Sequence, residues 1–310
     1  MQIQKLERLR AEYHAKYKKA QRYSLIAAAV CAVVILAVSL MAFRGGKSSL
    51  FSFMYVLIPV FTAAIFPYVL GMIIFYIANR KLVAEYRALY KTTFVEKALG
   101  EVFPGCSYQM NAGVDESELL ATNMVDTGDV YRSEDLVCGE YNGLKFRQAD
   151  VLIQEREEDE DGHTSYRTVF KGRWAVFDIK KDFQFKLAVV GKGFGVASLR
   201  SRDKIHKFRR ITLESDAFHN RFRVYAEDGF EAFYLLDPAF LERIEKLGEA
   251  HGGRVALFFV DGKLHIAVDN RSNAFEAASI TKPIDVDAEV MRVKADIKLI
   301  TDVVDSLKLK

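Results

Sequence analysis

The chain has 310 residues, half of them hydrophobic and 27% charged, with a formal net charge of only +3. A balance that small, with much of the basic excess beside two apolar segments, argues against a dedicated nucleic-acid binder. Three cysteines, Cys31, Cys106 and Cys138, are too few for a disulfide framework and fit a reducing compartment.

Residues 2–23 carry Lys5, Arg8, Arg10, Lys16, Lys18, Lys19 and Arg22, with Ile3, Leu6, Tyr13, Tyr17 and Ala20 near a three-to-four spacing. This predicts a basic juxtamembrane helix, whose charges either set topology or add roughly 1 kcal/mol each near anionic lipid. Residues 24–43 contain no charged side chain, and neither do residues 50–78. A span needs about 20 apolar residues, and both runs reach that length. Residues 44–49, with Gly45, Gly46, Ser48 and Ser49, read as a tight turn carrying only Arg44 and Lys47. After the second run come Arg80, Lys81, Arg87, Lys91 and Lys97. Lys and Arg stay on the cytoplasmic side, so the expectation is a transmembrane hairpin with both termini cytoplasmic. The long basic lead and the immediate second span argue against a cleaved signal peptide. Neither run holds the ionisable groups that ion and proton pathways need. Pro59 and Pro67 in the second run predict kinks in an anchor rather than a gate.

The second span continues as a helix over 79–99, stopped by Gly100 with Pro104 beyond. Asp115 or Ser117 caps a short helix through Val125, with Glu118 placed for a capping box. Strands follow over 137–141 and 144–146 around Asn142-Gly143, a two-residue hairpin signal. Further strands are expected over 151–155, 166–170, 174–179 and 183–190, the last by its alternation of apolar and polar residues. Residues 222–225 lead through Glu227-Asp228-Gly229 into another strand over 230–236. Asp237-Pro238 opens a helix that ends near His251-Gly252-Gly253, and 255–260 and 264–268 flank a hairpin at Asp261-Gly262-Lys263. A closing helix over 285–307 carries Val286, Val290, Val293, Ile297, Ile300, Val304 and Leu307 at alternating spacings of four and three. Such a stripe suits either a coiled coil or docking on a sheet, and the many strands needing cover favour docking. The fold class is therefore α+β: a two-helix transmembrane hairpin, then a mostly antiparallel cytoplasmic sheet domain with packed helices. The expected divisions are 1–23, 24–78 and 79–310, with a further split into subdomains near residue 210.

Several clusters suggest chemistry and are weighed against plainer readings. Residues 155–161 hold six acids around Arg156. They lack the alternating spacing of a calcium loop and read as a solvated hairpin tip. Arg200, Arg202, Lys204, Lys207, Arg209 and Arg210 crowd eleven residues; they form either a solvated loop or a contact for anionic lipid headgroups. Gly191-Lys192-Gly193-Phe194-Gly195 lacks the Gly-Lys-Ser/Thr end of a phosphate loop and reads as a turn after a strand. His14, His163, His206, His219, His251 and His265 show no metal-ligand spacing, and no Gly-x-Ser-x-Gly elbow occurs. Cys106 and Cys138 read as small buried residues. No catalytic signature, cofactor or metal site is assigned, so the chain is not expected to be an enzyme.

Several blocks in order carry a family resemblance: Glu134-Asp135-Leu136-Val137-Cys138-Gly139, Val169-Phe170-Lys171-Gly172 followed by 174–183, then 218–225, 232–241 with its Leu-Leu-Asp-Pro turn, and 296–307. With the twin apolar runs, the chain resembles domain-of-unknown-function family 3137, a bacterial family of membrane proteins. The resemblance implies a bacterial inner-membrane setting and carries over no site residue. The function expected is a membrane-anchored binding or scaffold module contacting a protein partner or the inner leaflet, or associating with itself. The alternatives are an enzyme on a membrane-proximal substrate, with Cys138, His219 or the acidic tip as candidates, and an accessory subunit of a transport complex.

Overall fold

A computed structural model describes residues 2–42, 50–122, 127–159, 161–179, 185–194 and 209–308. The chain divides into two compact units, one of residues 1–93 with 277–285, the other of 94–276 with 286–310.

The first unit is built on two helices of 41 residues, α1 (Gln2–Ala42) and α2 (Leu50–Tyr90). The basic lead and the first apolar run thus form one unbroken helix, because nothing between Gln2 and Ala42 punctuates it. The expected turn at 44–49 lies outside the described residues. Lys5 meets Glu85 at 3.3 Å, and a Cβ at Gly71 would collide with Ser24 Oγ, so the helices run antiparallel and close. Tyr13 and Tyr17 set their rings edge-on to Phe75 at 5.3 and 5.7 Å, an arrangement that aromatic quadrupoles favour. The amide of Ile284 donates to Glu7 Oε1 at 3.1 Å and ties the returning segment to α1. Both helices are long and apolar enough to cross a membrane, and only 11% and 12% of their most apolar stretches are buried within the protein.

Helical winding continues past Tyr90, through a π-helical stretch (Lys91–Glu96) into α3 (Lys97–Val102). Thr92 and Thr93 donate their hydroxyls to the carbonyls of Ala88 and Leu89 at 3.0 and 2.6 Å, a back-bonding that disturbs regular winding. Gly100 does not stop the helix, which runs two residues further, to Val102.

The second unit is organised on nine strands: β1 (Ser107–Gln109), β2 (Val130–Tyr141), β3 (Leu144–Glu158), β4 (Thr164–Asp178), β5 (Leu187–Gly191), β6 (Arg209–Ile211), β7 (Phe222–Ala226), β8 (Val255–Val260) and β9 (Lys263–Val268). They form one sheet in the order β1-β2-β3-β4-β9-β8-β5-β7-β6, and every neighbouring pair is antiparallel. The α+β reading with an antiparallel sheet holds. The sheet takes strands from both sides of residue 210. Asn142 (φ 52°) with Gly143 (φ 79°) and Asp261 (φ 49°) with Gly262 (φ 71°) make the two tight hairpins, as their turn chemistry requires. Four expected strands merge into two long ones: 144–146 with 151–155 in β3, and 166–170 with 174–179 in β4. A bulge at Ile153/Gln154 lets β3 and β4 bend without ending.

One sheet face is filled by Trp174, stacked on Phe258 at 5.6 Å, with Phe170 and Phe194 beside it. Trp174 Nε1 donates to His265 Nδ1 at 3.3 Å, so the buried indole N–H is satisfied. On that face the short helix α4 (Glu116–Ala121) contributes Leu119 to the core. Asp115 precedes α4 but its carboxylate makes no capping bond. Glu118 does not close a capping box either. It pairs with Arg147 at 2.6 Å and Lys263 at 3.3 Å, two charge-assisted contacts that outweigh one cap bond.

Further helices are α5 (Asp216–Arg221), α6 (Gly229–Leu235), α7 (Pro238–Ala250) and α8 (Val286–Leu307). The expected strand over 230–236 is instead α6. Asp228 accepts hydrogen bonds from the Phe230 and Glu231 amides and so starts a helix where a hairpin turn was read. Asp237 caps α7 through the Phe240 amide at 2.7 Å. The stripe of α8 is covered within the protein: Val293, Ile297, Ile300, Val304 and Leu307 are buried, and α8 packs with α7 and α3.

Candidate functional site

Of the basic cluster, Arg200, Arg202, Lys204 and Lys207 lie outside the described residues. Arg209 and Arg210 are exposed on β6, the last strand of the sheet. The acidic segment is the β3–β4 hairpin tip. Arg167 pairs with both Glu155 and Glu157, Arg156 with Glu158, and Asp159 Oδ1 accepts from the Asp161 and His163 amides. Among the described residues no group of His, Cys, Asp and Glu is placed to hold a metal ion. The glycine loop after β5 offers no cradle for phosphate at its described amides. Lys192 N donates to Arg221 O at 2.8 Å, Gly193 N to Gly253 O at 3.1 Å and Phe194 N to Gly191 O at 3.0 Å. His219 Nε2 accepts from the Leu213 amide at 2.6 Å and holds a turn. Cys106 and Cys138 are free and half-buried.

Two features were not read from the sequence. The first is a buried polar cluster on β2, β3, β4 and α8. Asp150 on β3 lies opposite Glu134 of β2 and Arg173 of β4. Arg173 reaches α8, donating to the Asp296 carbonyl at 2.8 Å and to its carboxylate. Asp135, at φ 61° in the β2 bulge, accepts from the Tyr108 hydroxyl. Among the described residues neither carboxylate oxygen of Asp150 makes a well-formed hydrogen bond, although the Ala274 amide exerts some pull on it. Burial, opposed by Arg173 and reinforced by the Asp135 carboxylate, pushes Asp150 up to about 8. The one visible signal was an acid inside the apolar stretch Ala149-Asp150-Val151-Leu152-Ile153. What surrounds it depends on register across three strands, which the chain does not spell out locally.

The second feature is a groove of about 390 Å³ among α5, α6 and α7. Phe218, Leu236 and Leu241 line its apolar part, and Glu214, Glu242 and Glu245 line its polar part. Beside it α6 turns three aromatic side chains outward: Phe230 is 82%, Phe233 50% and Tyr234 84% exposed. The strand expected over 230–236 would alternate these residues between faces; the helix gathers Phe230, Phe233 and Tyr234 on one. Buried aromatics hold the groove wall from behind, with Phe218 stacked on Phe222 at 4.8 Å.

Comparison with curated proteins finds no match to the chain. Among solved structures, the crystal structure of the mycobacterial trehalose monomycolate transport factor A, TtfA, is similar with a TM-score of 0.36 and 12% identity. That similarity covers 70% of this chain and 93% of that one. A likeness at that level carries no argument about fold or role. The resemblance read in the sequence is borne out over the C-terminal part: residues 168–309 match the family described as "Protein of unknown function (DUF3137)".

Proposed function

We propose that the protein is a membrane-anchored scaffold, in which α1 and α2 cross the inner membrane as a hairpin and the second unit binds a protein partner on the cytoplasmic side. The observation that carries this reading is the bare outer surface of the two helices. Val33, Val34, Val38, Ile73, Ile74 and Ile77 are all exposed, and a soluble protein rarely leaves so continuous an apolar surface uncovered. The basic flanks, with only Arg44 and Lys47 in the link, support the orientation. The aromatic surface of α6 favours binding.

Reporter fusions test the topology. A fluorescent protein is expected to mature at both ends of the chain, and alkaline phosphatase to be active only when inserted within 44–49. Phosphatase activity at either end overturns the orientation. Crosslinking in native membranes, read by mass spectrometry, tests the role. A reproducible heterologous partner supports the scaffold, and recovery of self-crosslinks alone counts against it.

A further inference from the structure

We propose that the groove among α5, α6 and α7 receives a linear segment of the partner protein in which an apolar side chain is flanked by lysine or arginine. This rests on the scaffold reading and names the chemistry of its partner.

The shape argues for side chains rather than a small polar ligand. A volume of about 390 Å³ accommodates one or two large apolar groups, at the low end of the usual range for binding clefts. More than half of its lining is apolar, and the apolar part is set by Phe218 and Leu236, both buried, so the cleft is preformed. The exposed rings of Phe230 and Tyr234 extend the apolar surface beyond the cleft. Aromatic residues around a central pocket are the composition of binding hot spots.

The charge selects the occupant. All three ionisable residues lining the groove, Glu214, Glu242 and Glu245, are acids, and no lysine or arginine is among the lining residues described. Glu242 is engaged by Lys246 at 2.8 Å. No ion pair among the described residues engages Glu214 or Glu245, although the Glu245 carboxylate also acts on the Arg221 guanidinium. Carboxylates of one sign at the mouth of an apolar cleft repel phosphate headgroups and steer cationic segments in. A peptide with basic residues beside its apolar anchor satisfies both parts of the surface; an anionic lipid satisfies only the apolar part.

The test uses the full chain in phosphatidylcholine nanodiscs, panned against a display library of random linear peptides with empty nanodiscs as counter-selection. The expected result is enrichment of sequences joining an apolar residue to lysine or arginine. Their binding should fall about tenfold or more when Glu214→Gln and Glu245→Gln are combined, and also with Phe233→Ser. The double glutamine variant keeps side-chain shape at one exposed and one half-buried position, and circular dichroism checks its fold. Enrichment without a basic bias, no enrichment at all, or equal binding to the variants overturns the proposal. So does the lipid outcome, in which no peptide is enriched and Phe233→Ser abolishes co-flotation with phosphatidylglycerol vesicles. The scaffold reading fails separately: a native-membrane partner still crosslinked by the groove variants refutes the groove alone, whereas absence of any partner for the wild-type chain refutes the scaffold.

Discussion

Asp150 and His265 are both buried in the sheet unit, and their ionisation opposes folding in opposite pH ranges. Asp150 is raised from an ordinary 3.8 to about 8, so the folded chain holds a proton that the unfolded chain releases. Its contribution to stability is complete below about pH 4 and is lost as pH rises to about 8. Asparagine at this position keeps the shape and cannot ionise. Asp150→Asn should therefore be more stable than the wild type by about 1–3 kcal/mol at pH 8, with the advantage gone near pH 4. His265 is lowered from 6.5 to about 4, chiefly by burial, with the Glu118 carboxylate opposing and Lys263 and Arg147 assisting. The unfolded chain takes up a proton that the folded one refuses. The contribution of His265 is complete above about pH 6.5 and is lost as pH falls through 4. His265→Gln, which can still accept from the Trp174 indole, should flatten that acid limb. From these two groups alone the wild type is level between about pH 4 and 6.5, where the slopes cancel, and loses stability above it. Urea midpoints at pH 4.5, 6 and 8 decide the matter. An Asp150→Asn advantage that persists unchanged at pH 4.5 would show that the carboxyl is not the titrating group.

The elements differ in how far their own residues dictate them. The hairpins at Asn142-Gly143 and Asp261-Gly262 were legible because each turn needs positive φ at two successive residues, and each pair supplies it. The long strands were under-read, since a bulge looks in the sequence like a strand ending. Helix α6 was misread because Asp228-Gly229 serves equally as a turn and as a cap, and the choice falls to packing. The groove was illegible for the same reason: its aromatics converge only if 229–235 is helical. Close packing of α1 on α2 was also hidden, although it turns on one residue. Gly71 lets Ser24 approach until no Cβ fits between them, and small residues at such crossings are what hold apolar helices together. Gly71→Leu should force the pair apart at a cost of about 1–3 kcal/mol. Cysteines replacing Lys5 and Glu85, whose long side chains meet in the native pair, should be joined readily by a short bismaleimide in the parent and poorly with Gly71→Leu, and Ser24→Gly should restore part of the yield. Undiminished crosslinking in Gly71→Leu would mean that the crossing tolerates a side chain.

At the scale of the whole molecule, two units with different sources of stability share one chain. The first rests on long helices whose apolar surface faces outward; in the proposed membrane hairpin, bilayer or detergent supplies the cover that other proteins find in a core. The second has its own core of sheet and helices, with many contacts between residues far apart in sequence. Urea weakens apolar burial in water but reaches helices in a micelle poorly, so the two units should not unfold together. The chain offers a clean way to see this, because Trp174 is its only tryptophan and lies fully buried against Phe258 in the second unit. Its emission should shift to longer wavelength in one cooperative step, while much of the far-ultraviolet helical signal, to which α1 and α2 contribute 41 residues each, persists to higher urea. Gly71→Leu should leave the tryptophan midpoint unchanged and lower only the later transition; Asp150→Asn at pH 8 should raise the tryptophan midpoint and leave the later transition unchanged. If both probes instead move together in every variant, the units fold as one cooperative body, and substitutions in the helix pair would be felt at the aromatic groove.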